Sequence, residues 1–325
     1  MQRICFKESE NISVRIMGKE FFRKYQLIWF VLICYLMIAI VSIIQIVIGI
    51  PQFSRESPTI SGFFLWFFYI FSPTFAAVIV TTIAEGKDSL RRLLKGYIIW
   101  RVNWVWYFAA FLLLLAPLLV GVVYFFIGDT PGIDQSLTVG SVVYLIGYGL
   151  VSGPVSEEGG WRGYMLPKLQ EKFNALISSL ILGVIWFVWH IPLFFIKGSS
   201  QYESRSLFFG IIYFILVMSI GLILTWLYNN AKGSLIITIL GHFCFNFSSV
   251  LIVSILGLMP TMVFNIVGGV LGVCYLLFIL LYAGYKRFSR KPDDELPFTP
   301  PTKKESEPEG IEAQEVFSSN KNTKN

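Results

Sequence analysis

The chain has 325 residues, of which 55% are hydrophobic, 17% aromatic and only 14% charged, and its mean hydropathy is +0.67. A soluble domain carries roughly 25% charged residues to face water, so this composition excludes soluble enzymes, nucleic-acid-binding proteins and secreted disulfide-rich domains. The net charge of +6 fits basic loops on the cytoplasmic side of a membrane better than a nucleic-acid partner. We therefore predict an all-α protein that crosses a membrane several times.

Eight segments are apolar over about the 20 residues that a helix needs to cross the hydrocarbon core. In chain order they cover residues 27–50, 62–84, 104–127, 138–156, 174–196, 207–228, 234–256 and 262–285. The sequence therefore predicts a transmembrane helical domain of about eight spans over residues 27–285.

The charges of the connecting segments predict the orientation. Lys and Arg are frequent in the N-terminal arm 1–26, in the loop 85–103 and in the tail 286–325, and they are scarce in the alternate loops. Cytoplasmic loops carry the excess of Lys and Arg, so both termini are predicted to be cytoplasmic in a multi-pass protein of the cell membrane. The tail has little apolar surface to bury and is predicted to be disordered.

Three short polar clusters border or interrupt the apolar segments. An ionisable group at the centre of a membrane span costs at least about 2.5 kcal/mol on insertion scales, so it is by default a functional candidate. The clusters hold both histidines of the chain, an adjacent acid pair, an arginine and an asparagine, namely Glu157, Glu158 and Arg162, then His190, then His242 and Asn246.

Helical spacing predicts which of these side chains share a face. Residues four apart are neighbours on a helix, which predicts an ion pair between Glu158 and Arg162. Glu157 lies about 100° around the helix from Glu158 and is left out of that pair. The same spacing stacks His242 with Asn246.

The rise of a helix also predicts the depths of the clusters. At 1.5 Å per residue, Glu157 and His190 lie about 20 and 24 Å from the turn between their helices, and His242 lies about 14 Å from its own turn. We therefore expect the three clusters to meet in one layer of the membrane, in a cavity among spans four to seven.

Structural roles remain open for each of these residues. A single membrane histidine is often a buried hydrogen-bonding residue, the Glu158–Arg162 pair is compatible with a bracing role, and the acid pair is compatible with the cytoplasmic edge of span four. The aromatic residues of the clusters are interpreted as packing or interface residues, and this set includes Trp161, Trp186 and Trp189.

The chemistry available to such a set is the activation of water. A carboxylate and two imidazoles can activate water directly as general bases or on a metal ion, and an Asn–His pair can stabilise the oxyanion of a tetrahedral intermediate. Peptide hydrolysis uses these parts. The sequence has neither HExxH nor GxSxG, so neither the site-two zinc type nor the rhomboid serine type of membrane protease is indicated.

The three motifs resemble those of the CPBP family, also called Abi, which contains CAAX prenyl proteases and bacteriocin-processing enzymes. The run EEGGWRGYMLPKLQ is similar to the first motif of that family, WHIP to the end of its second, and His242-x-x-x-Asn246 to its third. The resemblance covers about residues 138–256. The family usually has Phe four residues before the histidine of its second motif, where this chain has Trp186.

The resemblance implies a role for each matched position. Glu157 and His190 would activate the attacking water, His242 and Asn246 would stabilise the oxyanion, and Glu158 and Arg162 would brace the site. Both a metal-free and a metal-dependent mechanism are compatible with these residues, and Glu157, His190 and His242 would be the ligands if Zn²⁺ were bound.

The sequence therefore predicts a membrane-embedded endopeptidase, CAAX-type or acting on other peptides or prepeptides. Its expected partners are a peptide or membrane-protein substrate and the lipid bilayer, with no nucleic acid. The alternative is a non-proteolytic bacteriocin self-immunity or scaffold protein that binds a peptide in the same cavity. A proton-coupled transporter is a third interpretation, which the absence of an internal repeat disfavours.

Overall fold

A computed structural model describes residues 20–55, 57–127, 138–254 and 262–299, and all regular secondary structure within these ranges is helical. The helices are α1 (Gln26–Ile48), α2 (Ile60–Ile70), α3 (Ser72–Ala84), α4 (Lys87–Lys95), α5 (Trp104–Ile127), α6 (Val139–Gln170), α7 (Ala175–His190), α8 (Ser200–Glu203), α9 (Leu207–Asn230), α10 (Leu235–Ser254) and α11 (Met262–Ala283). The predicted all-α polytopic membrane architecture is confirmed.

Each of the eight predicted spans corresponds to helical structure, but the number of crossings is not settled by length. Among the described residues, four helices are long and apolar enough to cross a membrane, namely α1, α6, α7 with its 3₁₀ extension to Phe195, and α9. The pair α2 and α3, bent by 53°, would make a fifth. Shorter apolar helices cover the other three segments, at Trp104–Leu115, Leu235–Ser248 and Val270–Ala283. The number eight therefore stays a prediction.

Local sequence signals explain where several helices begin. The side chains of Thr59, Asn174 and Ser206 each accept a hydrogen bond from the backbone N–H three residues later. Such caps satisfy N–H groups that have no partner inside the helix. Pro73, which has no N–H to lose, occupies the first turn of α3 just after the bend.

Helix α6, which carries the first polar cluster, is irregular on both sides of that cluster. Two π-helical turns, Val151–Val155 and Trp161–Met165, flank the α-helical segment Ser156–Gly160. Pro154 lies in the first of them and cannot donate to the helical ladder. Each π turn changes the direction in which the following side chains point, and such turns are frequent at functional sites.

Two glycines allow α6 to lie directly against its neighbours. A Cβ on Gly160 would come within 2.4 Å of the backbone of Pro73, and one on Gly159 within 2.2 Å of the Tyr97 hydroxyl. Any side chain at these positions would push α6 away from α3. The glycines that follow the acid pair therefore hold it deep inside the bundle.

The segments rich in Lys and Arg meet at one end of the bundle. Lys168 at the end of α6 pairs with Glu85, and Gln170 exchanges hydrogen bonds of 3.1 and 2.7 Å with Asn229 at the end of α9. At the opposite end, the backbone N–H of Gln52 donates a hydrogen bond to the backbone carbonyl of Lys197. This grouping agrees with the predicted alternation of loops, while the membrane side that each end faces stays a prediction.

The chain after α11 differs from the predicted disordered tail. Residues 284–299 fold over the ends of α6, α7 and α9, and Phe288 and Phe298 are buried there. Sequence composition missed this because two aromatic side chains and a few backbone carbonyls suffice to anchor a polar segment to an existing surface. Residues 1–19 of the N-terminal arm and residues 300–325 of the tail lie outside the described residues.

Candidate active site

Glu157 is a buried carboxylate held by two indole groups. Its Oε2 atom accepts hydrogen bonds from Nε1 of Trp161 at 3.1 Å and from Nε1 of Trp186 at 2.6 Å. Trp161 lies one turn further along α6, and Trp186 comes from α7. Only 3% of Glu157 is exposed. A buried carboxylate needs such donors to remain ionised without a cation in contact.

The second acid, Glu158, joins a buried hydrogen-bonded triad. Its Oε1 atom accepts hydrogen bonds from Nη1 of Arg162 and from Nδ1 of His242, each at 2.9 Å. All three side chains are nearly inaccessible. The predicted ion pair between Glu158 and Arg162 is present, and the bond to His242 extends it from α6 to α10.

The first and third clusters come together beside Gly153, which has no side chain to separate them. A Cβ at Gly153 would lie 3.2 Å from Oε1 of Glu157, 3.3 Å from Nδ2 of Asn246 and 3.5 Å from Nε2 of His242. The three polar atoms therefore converge on one point against the backbone of α6, where a side chain on residue 153 would crowd them.

His190 approaches the same group from α7. Its Nδ1 atom lies 2.8 Å from the carbonyl oxygen of Trp186. A carbonyl oxygen can only accept, so Nδ1 carries the hydrogen and Nε2 of the neutral ring keeps its lone pair. The ring of Trp186 lies 5.8 Å from that of His190 and 5.3 Å from that of His242, between the two imidazoles.

Trp161 and Trp186 are more than the packing residues that the sequence suggested. Both donate to Glu157, and the ring of Trp186 also lies 4.3 Å from the guanidinium of Arg162. Spacing gave a partial signal, because Trp161 is four residues after Glu157 and Trp186 four residues before His190. Nothing in the sequence indicated that the indole N–H groups point at the carboxylate.

Tyr213 of α9 is a further neighbour that sequence analysis did not single out. Its ring lies 5.4 Å from that of His190, nearly perpendicular to it, and its hydroxyl accepts a hydrogen bond from Gln201 at 3.0 Å. Helix α8 is thereby hydrogen-bonded to a ring that packs against His190.

The zinc ligands considered from the sequence are not assembled. Among the described residues, no group of three His, Cys, Asp or Glu side chains is arranged to hold a metal ion. The donor atoms as placed do not fit a shared metal ion.

Comparison with known proteins shows what this region is similar to. Residues 138–248 match the model of the type II CAAX prenyl endopeptidase Rce1-like family. A curated protein of Methanococcus maripaludis, CAAX prenyl protease 2, is 36% identical over 98 residues, which are 30% of this chain and 36% of that relative. The match to this relative thus spans about a third of the relative's length. The residues matched by the family model include all three polar clusters. The resemblance to CPBP-type intramembrane proteases that the motifs predict is confirmed over residues 138–248.

Proposed function

We propose that this protein is an intramembrane endopeptidase in which Glu157 activates water for attack on a peptide bond. One observation carries the proposal. Oε2 of Glu157 is fixed by two indole donors, while Oε1 lies beside Gly153, where polar atoms of Asn246 and His242 also converge. A carboxylate fixed through one oxygen, with the other oxygen among further polar groups, suits a general base.

We assign the two flanking groups different tasks. The amide Nδ2 of Asn246 always carries hydrogens and can donate to the oxyanion that forms when water adds to a carbonyl. Nδ1 of His242 already donates to the carboxylate of Glu158, so Nε2 can donate to the same oxyanion only in the ring form that carries hydrogens on both nitrogens. Glu158 and Arg162 then act as positioning residues for His242.

His190 supplies a second base near the water. With the hydrogen on Nδ1 bound to the carbonyl of Trp186, its Nε2 lone pair is free to accept a proton. Glu157 and His190 share Trp186 as a common neighbour, so one residue fixes the orientation of both. We infer that the two groups act together on the attacking water and on the departing amine.

The substrate is proposed to be a peptide or a membrane protein with a cleavage site near the membrane. The relative from Methanococcus maripaludis is named CAAX prenyl protease 2, which makes a C-terminal CAAX-type peptide the first substrate to test. The basic end of the bundle is proposed to face the cytoplasm, since loops rich in Lys and Arg are retained on that side.

The test uses the purified full chain in detergent and an internally quenched peptide with a CAAX-type C-terminus, with and without an isoprenoid on its cysteine. Glu157→Gln is expected to abolish cleavage, because the amide cannot accept the proton of water. Glu171→Gln is the matched control, since Glu171 lies just after the same helix but is exposed. Wild-type activity in Glu157→Gln would overturn the proposal. Binding of the peptide without cleavage by the wild type would instead favour a peptide-binding protein.

A further inference from the structure

A basic hollow opens where the chain leaves α11, at the same end of the bundle as the other Lys- and Arg-rich loops. Its volume is about 400 Å³. The polar side chains that line it are Tyr285, Lys286, Arg287, Ser289, Arg290 and Lys291. This lining contains four cations and no acid, so the hollow is suited to an anion.

The walls of the hollow are fixed by buried amide side chains. Asn229 Nδ2 donates to the carbonyl of Arg287 and Asn230 Nδ2 to the carbonyl of Phe288, both at 2.7 Å. The hydroxyl of Ser289 donates to Oδ1 of Asn230 at 2.9 Å. Phe288 is wholly buried and has a φ of 48°, a conformation that non-glycine residues adopt only when their surroundings impose it. The backbone around the hollow is therefore held in place by specific hydrogen bonds and by the burial of Phe288.

The cations of the hollow are only partly neutralised. Arg287 pairs with Asp293 at 2.5 Å. Lys286, Arg290 and Lys291 have no acidic side chain within ion-pair distance among the residues that the structure describes. Arg290 instead donates to the carbonyl of Tyr282 and lies 3.9 Å from its ring.

Lys291 is partly buried in this lining. Burial lowers the pKa of its ammonium group, Glu295 opposes that effect, and the nearby charge of Lys232 adds to it. A bound anion would favour the charged ammonium form.

The surface next to the hollow indicates which anion fits. Leu277, Phe278 and Leu281 on the last turns of α11 are 51%, 51% and 85% exposed, and they form an apolar face that leads down to the basic residues. Tyr282 and Tyr285, which are about half exposed, lie between the apolar face and the basic residues. Tyrosine side chains are frequent at such positions at a membrane interface. Acyl chains fit the apolar face, and a phosphate fits the hollow.

We propose that this hollow binds the phosphate headgroup of an anionic phospholipid whose acyl chains lie along the exposed face of α11. The bound lipid holds the segment 284–299 against Asn229, and through the reciprocal bonds between Asn229 and Gln170 it stabilises the end of α6. The proposal does not depend on the proteolytic function.

The test measures the thermal unfolding midpoint of the full chain in detergent during titration with dioleoyl phosphatidylglycerol. A ligand that binds only the folded protein raises this midpoint as its concentration increases. We expect a rise with phosphatidylglycerol and little or none with dioleoyl phosphatidylcholine or inorganic phosphate. An equal rise with phosphatidylcholine would overturn the headgroup assignment, and an equal rise with inorganic phosphate would overturn the lipid assignment.

Variants locate the effect in the hollow. Replacing Lys286, Arg290 and Lys291 together by Gln is expected to weaken phosphatidylglycerol binding about a hundredfold, since each basic residue near an anionic surface contributes about 1 kcal/mol and about 1.4 kcal/mol corresponds to a tenfold change in affinity. Exchanging the same three residues between Lys and Arg keeps the charge and should retain binding. If the Gln variant fails to fold, this exchange and the wild-type lipid selectivity still test the site.

A matched control separates a site from general surface charge. Lys87, Arg91 and Lys95 on α4 are exposed at the same end of the bundle, and replacing them by Gln removes the same charge. We expect phosphatidylglycerol binding to persist in this control. An equal loss in both triple variants would show diffuse attraction to the bilayer and would overturn the proposed site.

Discussion

Replacing Trp186 by Phe removes one hydrogen-bond donor from the site and keeps an aromatic ring in place. The indole Nε1 donates to Oε2 of Glu157 at 2.6 Å, and the two side chains are 2% and 3% exposed. A hydrogen bond to a charged group contributes about 1.5–3 kcal/mol, which corresponds to a change in rate of about tenfold to a hundredfold. Trp161 keeps its own bond of 3.1 Å to the same oxygen, so we expect the lower part of that range.

The loss is expected in kcat with little change in KM, because Trp186 holds the base and not the peptide. The assay is cleavage of a quenched CAAX-type peptide by the purified full chain, with the unfolding midpoint of each variant measured in parallel. Trp189→Phe is the matched control, since Trp189 is equally buried and its Nε1 donates to Ser72 at 3.0 Å instead. An unchanged kcat in Trp186→Phe, or the same loss in Trp189→Phe, would refute the reasoning.

Two further substitutions test other parts of the structure. Gly153→Ala places a methyl group within 3.2 Å of the Glu157 carboxylate, and we expect about a tenfold or greater loss of kcat at unchanged stability, because small misplacements of reacting groups are costly. Gly147→Ala, with open space around its Cβ, should leave kcat unchanged, and equal losses in both would contradict the importance of the close approach at Gly153. Burial opposes ionisation of Glu85, but the hydrogen bond from Lys168 and its charge outweigh that effect and lower the pKa of Glu85 below its ordinary value of 4.5. This stabilisation is present above that value and is lost as the pH falls through the lower folded-state value, so Glu85→Gln should flatten the dependence of the unfolding midpoint on pH in that range. An unchanged dependence would show that the pair contributes nothing.

The helical segments and the spacing within each cluster were predictable from the sequence because both depend on local periodicity. An apolar run of about 20 residues is enough to predict a helix in a membrane. A separation of four residues is enough to predict that Glu158 meets Arg162, whose atoms lie 2.9 Å apart in the structure. The three motifs also identified the region that matches a known family, because the order and spacing of the motifs are properties of the sequence itself.

The relative placement of the clusters was decided by the tertiary structure. The bond between Glu158 and His242 joins residues 84 positions apart, and the bond between Glu157 and Trp186 joins two helices. The rise per residue of a helix predicted that the three polar clusters lie at a similar depth in the membrane. It did not predict which atoms face each other, because the two π turns of α6 change the direction of its side chains.

The sequence by itself thus determined what each helix carries: an adjacent acid pair, two isolated histidines and an asparagine beside or within apolar segments. Only the packing of α6, α7 and α10 decided that the acid pair is buried, that two tryptophan indoles bind the Glu157 carboxylate, and that its other oxygen lies close to Asn246 and His242 beside Gly153. The physical reason is that helical periodicity acts over a few residues, whereas the direction of a side chain between helices depends on how closely their backbones approach. Gly159 and Gly160, which follow the acid pair, permit that approach, but only the folded bundle shows that Tyr97 and Pro73 are the residues that lie against them.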